Sequence, residues 1–91
     1  MLIFDDKDPI FLNNYGFNKH KMGFSDEGIR FIQASLQIKP DNSYAYRNLA
    51  MINIDNGELE TACDNLKKAK ELNFYTKYGN EVNELSVKYC Q

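Results

Sequence analysis

Few residues in this chain could carry out catalysis or bind a metal ion, and their spacing does not bring them together. His20 is the only histidine, and no cysteine or carboxylate stands at metal-ligand spacing from it. Serine, aspartate and histidine do not form the grouping that nucleophilic catalysis requires. No glycine-rich phosphate loop follows a strand, because no strand pattern occurs. The sequence therefore predicts a protein that is not an enzyme and that uses no metal and no cofactor.

The two cysteines, Cys63 and Cys90, are predicted to be thiols. Cys63 lies inside a helical pattern, where it would serve as a small buried apolar group, and Cys90 is the penultimate residue. A bridge between them is the alternative. Residues 1–8 lack the basic start and the long apolar stretch of a signal peptide. We therefore expect a cytoplasmic protein, in a compartment that keeps thiols reduced.

Composition and charge exclude several classes of partner. The 91 residues are 43% hydrophobic, which suffices for one packed domain, and the formal charge is -2 from 11 basic and 13 acidic residues. A chain without a basic excess lacks the charge that attracts a nucleic-acid backbone or an anionic membrane. No apolar run approaches the ~20 residues that span a bilayer. We expect neither nucleic acid nor a membrane among its partners.

The chain contains an internal repeat with a spacing of 34 residues. Small residues align across that spacing, as Gly16 does with Ala50, and branched apolar residues align as well, as Ile32 does with Leu66. Each repeat is predicted to form two helices. The residues that favour helix starts and stops are Asp8-Pro9, Gly23, the capping residue Ser25, Lys39-Pro40, Asp41-Asn42-Ser43 and Asn56-Gly57. Repeats of this kind stack so that each buries its apolar face against the next.

Residues 79–90 depart from the repeat but keep a helical pattern. Val82, Leu85 and Tyr89 share one side of that helix, while its other side is polar, as in a terminal helix with one solvated face. We predict an all-α fold with an N-terminal extension over 1–8 and a single domain over 9–91. The domain comprises repeat 1 (9–42), repeat 2 (43–76) and a capping helix (78–90).

The residues that keep this spacing resemble the tetratricopeptide repeat (TPR) family. The family unit has an Asn-Leu-Gly-like step, a glycine at mid-unit and an alanine-rich second helix that ends in Leu-x-Pro. The matching residues are Asn14-Tyr15-Gly16, Gly23 and Ile38-Lys39-Pro40 in repeat 1, and Asn48-Leu49-Ala50, Gly57, Ala62, Ala69 and Leu72 in repeat 2. The departures are Leu12 for an aromatic residue, Gly28 for an alanine and Phe74 for a proline.

The resemblance implies a TPR-like α-solenoid whose first helices line a concave groove that binds a segment of a partner protein. Carried over to this sequence, the groove positions are Ile10, Asn13, Asn14, Phe17, His20 and Lys21 in repeat 1, and Tyr44, Arg47, Asn48, Met51 and Asp55 in repeat 2. Only Asn48 matches the set with which some TPR co-chaperones clamp a C-terminal carboxylate, so chaperone-tail binding is not expected.

Each groove position has an alternative role. Asn14 and Asn48 have carboxamides that can pair with a peptide group of a ligand, or they serve local helix contacts. Phe17, Tyr44 and Met51 provide apolar contact or belong to the core. Arg47 holds a partner carboxylate, or it forms an ion pair with Asp55 or Glu81. His20 is a groove residue or an ordinary surface histidine.

Three functions remain open. The first is a non-enzymatic adaptor or scaffold that binds a partner segment. The second is an immunity protein that neutralises a cognate toxin, because a small acidic chain suits a basic nuclease. The third is self-association into a homodimer through the uncovered first repeat. The apolar residues Leu2, Ile3 and Phe4 are expected either to fold back on the chain or to pack on a partner.

Overall fold

The computed structural model describes residues 8–90, and within that range the chain forms six helices and no strand. The fold is therefore all-α, with the helical-repeat character that the sequence predicts. The chain divides into two compact units, Met1–Pro40 and Asp41–Gln91. The apolar residues 2–4, which were expected to fold back or to pack on a partner, lie outside the described residues.

The first unit is a hairpin of α1 (Pro9–Lys21) and α2 (Ser25–Ile38). Asp8 caps α1 as predicted, because its Oδ1 accepts a hydrogen bond from the Ile10 amide at 2.9 Å. Gly23 follows α1 with a φ of +96°, a left-handed conformation that glycine adopts without strain. The local sequence signals are thus confirmed at both ends of α1.

The two helices of this hairpin approach each other closely at Gly16 and Gly28. A Cβ atom at Gly16 would lie 2.5 Å from the carbonyl oxygen of Gly28 and 2.8 Å from the Ile32 side chain. A Cβ atom at Gly28 would in turn collide with the carbonyl oxygen of Gly16. The Ser35 hydroxyl donates to the Pro9 carbonyl oxygen at 2.7 Å and so joins α2 to the start of α1.

The prediction that Ser25 caps α2 is wrong. Phe24 occupies the capping position and Ser25 is the first helical residue, with no capping hydrogen bond from a side chain. The Ser25 hydroxyl instead lies 2.7 Å from Nδ1 of His20 and forms a hydrogen bond with it. A hydroxyl beside an imidazole on the adjacent helix therefore competes successfully with the local cap.

The second unit begins with α3 (Ser43–Asp55) and α4 (Leu59–Glu71). Asn42 caps α3, because its Oδ1 accepts from the Tyr44 amide at 3.1 Å. Gly57 follows α3 with a φ of +77°. These boundaries agree with the helix starts and stops read from the sequence.

Two further helices complete the second unit, α5 (Phe74–Tyr78) and α6 (Glu81–Tyr89). The sequence predicts one capping helix over 78–90, and it does not predict α5. Phe74, which departs from the family's proline, is 1% exposed and belongs to the core. That core is formed by side chains from α3 to α6, namely Ala50, Leu66, Ala69, Phe74 and Val82.

A disulfide joins Cys63 in α4 to Cys90, which follows the last residue of α6. The prediction of two thiols is therefore wrong. The Cα atoms are 5.7 Å apart, within the range that a disulfide can bridge, although the two cysteines are 27 positions apart in sequence. The two cysteines come together because α6 packs against α4, and no local sequence pattern predicts that packing.

Candidate functional site

The predicted contact residues of α1 differ in accessibility. Asn14 is exposed, Phe17 and His20 are half-buried, and Asn13 is buried at 3% exposure. The Phe17 ring lies 6.2 Å from the His20 ring, and the Lys21 ammonium lies 5.1 Å from the centroid of Phe17. Phe17 is an aromatic side chain with a cation beside its ring, and the exposed carboxamide of Asn14 lies three residues before it. Together these groups can contact an apolar side chain and a peptide group of a bound segment.

The hydrogen bond between His20 and Ser25 fixes the histidine ring at the end of this surface. Nδ1 is occupied by the Ser25 hydroxyl at 2.7 Å. This hydrogen bond restricts rotation of the imidazole ring. His20 therefore lies at the junction of α1 and α2 with a fixed orientation.

In α3, the guanidinium of Arg47 is paired with Glu81 of α6. Nε of Arg47 donates to Oε1 at 2.7 Å and Nη2 donates to Oε2 at 2.8 Å, so the pair is bidentate. These hydrogen bonds raise the pKa of Arg47, and they lower the pKa of Glu81 against the opposing effect of burial. Of the roles considered for Arg47, the structure shows the ion pair with Glu81.

The same guanidinium organises its neighbours on α3. Nη1 of Arg47 donates to Oδ1 of Asn48 at 2.7 Å, and its Cζ lies 5.1 Å from the centre of the Tyr44 ring. Asn48 is 1% exposed, whereas Asn14, at the same position of the preceding repeat, is exposed. Two asparagines that the repeat makes equivalent are therefore in different environments.

Tyr44 belongs to an aromatic cluster of the second unit. Its ring lies 5.9 Å from Phe74 and 5.0 Å from Tyr78, so the half-buried phenol is packed on two sides. Further along α3, Met51 is half-buried and Asp55 is exposed. Met51 and Asp55 are one helical turn apart, and both are at least partly accessible, as Tyr44 and Arg47 are.

The sequence did not predict a depression of about 440 Å³ on the first unit. Its walls are Tyr15, Lys19, Glu27, Arg30, Phe31 and Ala34. The Tyr15 and Phe31 rings meet edge to face with centroids 4.8 Å apart, and Lys19 pairs with Glu27 at 3.4 Å. Tyr15 occupies the repeat position that Leu49 occupies in the next repeat. This change from an aliphatic to an aromatic residue was the sequence feature that could have indicated the depression.

The described part of the chain is an all-helical repeat structure. Residues 31–64 match a family model described as tetratricopeptide repeat, over a segment that runs along the sequence from α2 into α4. The predicted resemblance to that family is therefore confirmed. Comparison with curated proteins and with solved structures gave no match. Tetratricopeptide repeats generally mediate protein–protein binding and are typically not catalytic.

Two further observations concern the residues that the structure describes. None of the helices between residues 8 and 90 combines the length with the apolar character needed to cross a bilayer. In the same range, histidine, cysteine and acidic side chains do not gather in a group of three that could hold a metal ion.

Proposed function

We propose that this protein is a non-enzymatic module that binds a segment of another protein, with candidate contact residues on α1 of the first unit and, separately, on α3 of the second. The observation that carries the proposal is the match of residues 31–64 to a repeat whose general role is protein binding. Among the predicted contact residues that are exposed or half-buried, we assign partner contact to Asn14, Phe17 and His20 on α1, and to Met51 and Asp55 on α3.

The chemistry of these residues suits an extended peptide with apolar side chains. Phe17 and Met51 are of the types that contribute most at the centre of protein interfaces. The Asn14 carboxamide offers a donor and an acceptor to a peptide group of the ligand. Asn13 and Asn48 are buried, and Arg47 is paired with Glu81. We therefore propose that these three residues stabilise α1 and α3 and do not contact the partner.

The proposal is tested by affinity capture from native lysate with the intact protein and a double variant, Phe17→Ser with Met51→Ser. The intact protein should retain one protein in stoichiometric amount, and the double variant should lose it. The variant should keep its helical circular dichroism, because both side chains are only half-buried. A matched control, Leu59→Ser with Tyr75→Ser, changes two exposed apolar side chains outside α1 and α3 and should retain the partner.

Three results would contradict the proposal. Loss of helical structure in the Phe17 and Met51 variant would show that these residues are core. Equal loss of the partner in the control variant would show that binding does not depend specifically on Phe17 and Met51. An intact protein that captures nothing and forms a concentration-independent dimer by light scattering would favour self-association. A captured toxin would specify the role as immunity, and any other partner would specify it as an adaptor.

A further inference from the structure

The disulfide between Cys63 and Cys90 attaches the end of α6 to α4. We infer that it is a reversible thiol–disulfide exchange site whose reduction by a dithiol releases α6 from the second unit. The inference is independent of the proposed function, because it concerns only the attachment of this helix.

The bridge is accessible to a reductant. Both half-cystines are half-buried, and they form part of an open depression of about 340 Å³ whose other walls are Leu59, Glu60, Asp64 and Tyr89. Disulfides that solvent can reach are the ones that thiols reduce readily, whereas enclosed structural disulfides resist. The location of this bridge thus favours exchange over a permanently enclosed crosslink.

Besides the bridge, core packing and an ion pair hold α6. The helix has 9 residues, fewer than the ~12–15 that an isolated helix needs in water. Val82 and Ser86 are its buried residues. At its beginning Glu81 pairs with Arg47, but the Glu81 side chain is 44% exposed and water therefore weakens the pair. The disulfide is the covalent attachment at the opposite end.

Reduction proceeds in two exchange steps. A thiolate of the dithiol attacks Sγ of Cys90, the S–S bond breaks, and its electron pair leaves with Sγ of Cys63, which takes up a proton from water. The second thiolate of the reductant then attacks the reductant sulfur of the mixed disulfide and displaces Cys90 as a thiolate, which is protonated. Two cysteine thiols result, and the dithiol becomes a disulfide.

Release of α6 changes the surface of the second unit. Val82 packs with Ala50, Leu66, Ala69 and Phe74 in the core, and Leu85 and Cys90 pack against that core. When α6 detaches, the apolar side chains of Ala50, Leu66, Ala69 and Phe74 become more exposed to solvent. The reduced protein should therefore present an apolar surface that the oxidised protein hides.

The experiment is hydrogen exchange of the full chain, followed by mass spectrometry, in oxidised protein and after treatment with dithiothreitol. Amides of residues 81–90 should exchange roughly tenfold faster or more after reduction, while those of α1 and α2 keep their rates. A double variant, Cys63→Ser with Cys90→Ser, should exchange fast in this segment with or without dithiothreitol. Fluorescence of an apolar dye should rise on reduction of the intact protein and stay constant in the variant.

Several outcomes would overturn the inference. Slow exchange of residues 81–90 in reduced protein or in the double variant would show that α6 does not need the bridge. Equal acceleration in α3 and α4 would show that the bridge holds the whole second unit rather than α6. Alkylation of both cysteines in oxidised protein would show that they do not pair, and a bridge that persists in dithiothreitol under native conditions would exclude an exchange site.

Discussion

The pairing of Arg47 with Glu81 changes the role expected of the arginine. As a groove residue it would hold a carboxylate of the partner, whereas the structure supplies that carboxylate from α6. The two residues are 34 positions apart, which is one repeat length. The pair therefore connects equivalent positions of successive first helices, and α6 takes the place of a third one.

The effect of this pair on stability should depend on pH. Arg47 lowers the pKa of Glu81 in the folded protein, so the pair stabilises the fold above the unfolded value of about 4.3. The contribution is lost as the pH falls through the lowered pKa of the folded state. Because Glu81 is 44% exposed, we expect only about 0.5–1 kcal/mol.

Urea denaturation followed by circular dichroism checks this prediction. Glu81→Gln should lower the free energy of unfolding by that amount near pH ~7 and have little effect near pH ~3. The control, Glu84→Gln, changes an exposed carboxylate on the same helix and should have little effect at either pH. A loss of the same size at both pH values would show that the charge of Glu81 is not what stabilises the pair.

Single residues were predictable where their role is local. Asp8 and Asn42 cap helices within three residues of themselves, and glycines at 23 and 57 stop them, so their types suffice. Ser25 has the same local preference but lies next to His20 of another helix. Asn48 and Asn14 share a repeat position, yet only Asn48 lies beside Arg47 and is buried. Those outcomes depend on neighbours that sequence patterns do not report.

At the scale of elements, the crossing of α1 and α2 depends on two residues without side chains. Alanine is the better helix former, by about 1 kcal/mol over glycine. At Gly28, however, a methyl group would meet the backbone carbonyl of Gly16 and lie 3.2 Å from the His20 amide nitrogen. Backbone atoms cannot move aside as a flexible side chain can, so the steric effect should dominate.

Gly28→Ala should therefore destabilise the first unit by about 1–3 kcal/mol despite its higher helix propensity. Thermal unfolding by circular dichroism, with hydrogen exchange of α1 and α2, measures the change. Gln33→Ala, at an exposed position of the same helix, is the control and should stay within about 0.5 kcal/mol of the parent. A Gly28→Ala protein as stable as the parent would show that the two helices can separate at this point without penalty.

The helices of the repeats were predictable from periodicity, whereas α5 was not. Helices α1 to α4 are 13 or 14 residues long, enough to show a period, and α1 and α3 also have side-chain caps of the types that sequence analysis recognises. Helix α5 has 5 residues, too few to show a period. It begins at Phe74, whose burial in the core is a tertiary effect. The presence of Phe74 where the family has proline showed that this position is unusual, but it did not predict that a helix begins there.

At the scale of the whole molecule, the disulfide makes stability depend on redox conditions. It closes a segment with a sequence separation of 27 residues, and restricting an unfolded chain in this way stabilises the fold by about 3–4 kcal/mol in the chain-entropy description. Oxidised protein should therefore unfold at a higher guanidinium concentration than reduced protein.

Denaturation of both forms by guanidinium, followed by circular dichroism, measures this difference. The Cys63→Ser and Cys90→Ser double variant should match the reduced protein and show no response to dithiothreitol. Equal midpoints for oxidised and reduced protein would contradict the assigned contribution of the bridge. The expectation of a cytoplasmic protein rested in part on two thiols, and thiols dominate only where the surroundings keep cysteine reduced.

The spacing of Arg47 and Glu81 also limits how many copies of the second repeat this architecture accepts. If residues 43–76 were duplicated in tandem, the position that now holds Glu81 would receive the arginine of the inserted copy. Two guanidinium groups would then face each other without a carboxylate between them, and like charges at that distance repel. The ion pair of Arg47 and Glu81, at 2.7 Å, thus suits the end of a series of repeats. Glu81 pairs with the arginine one repeat earlier in the sequence, but it is not itself an arginine that could pair with a carboxylate one repeat later.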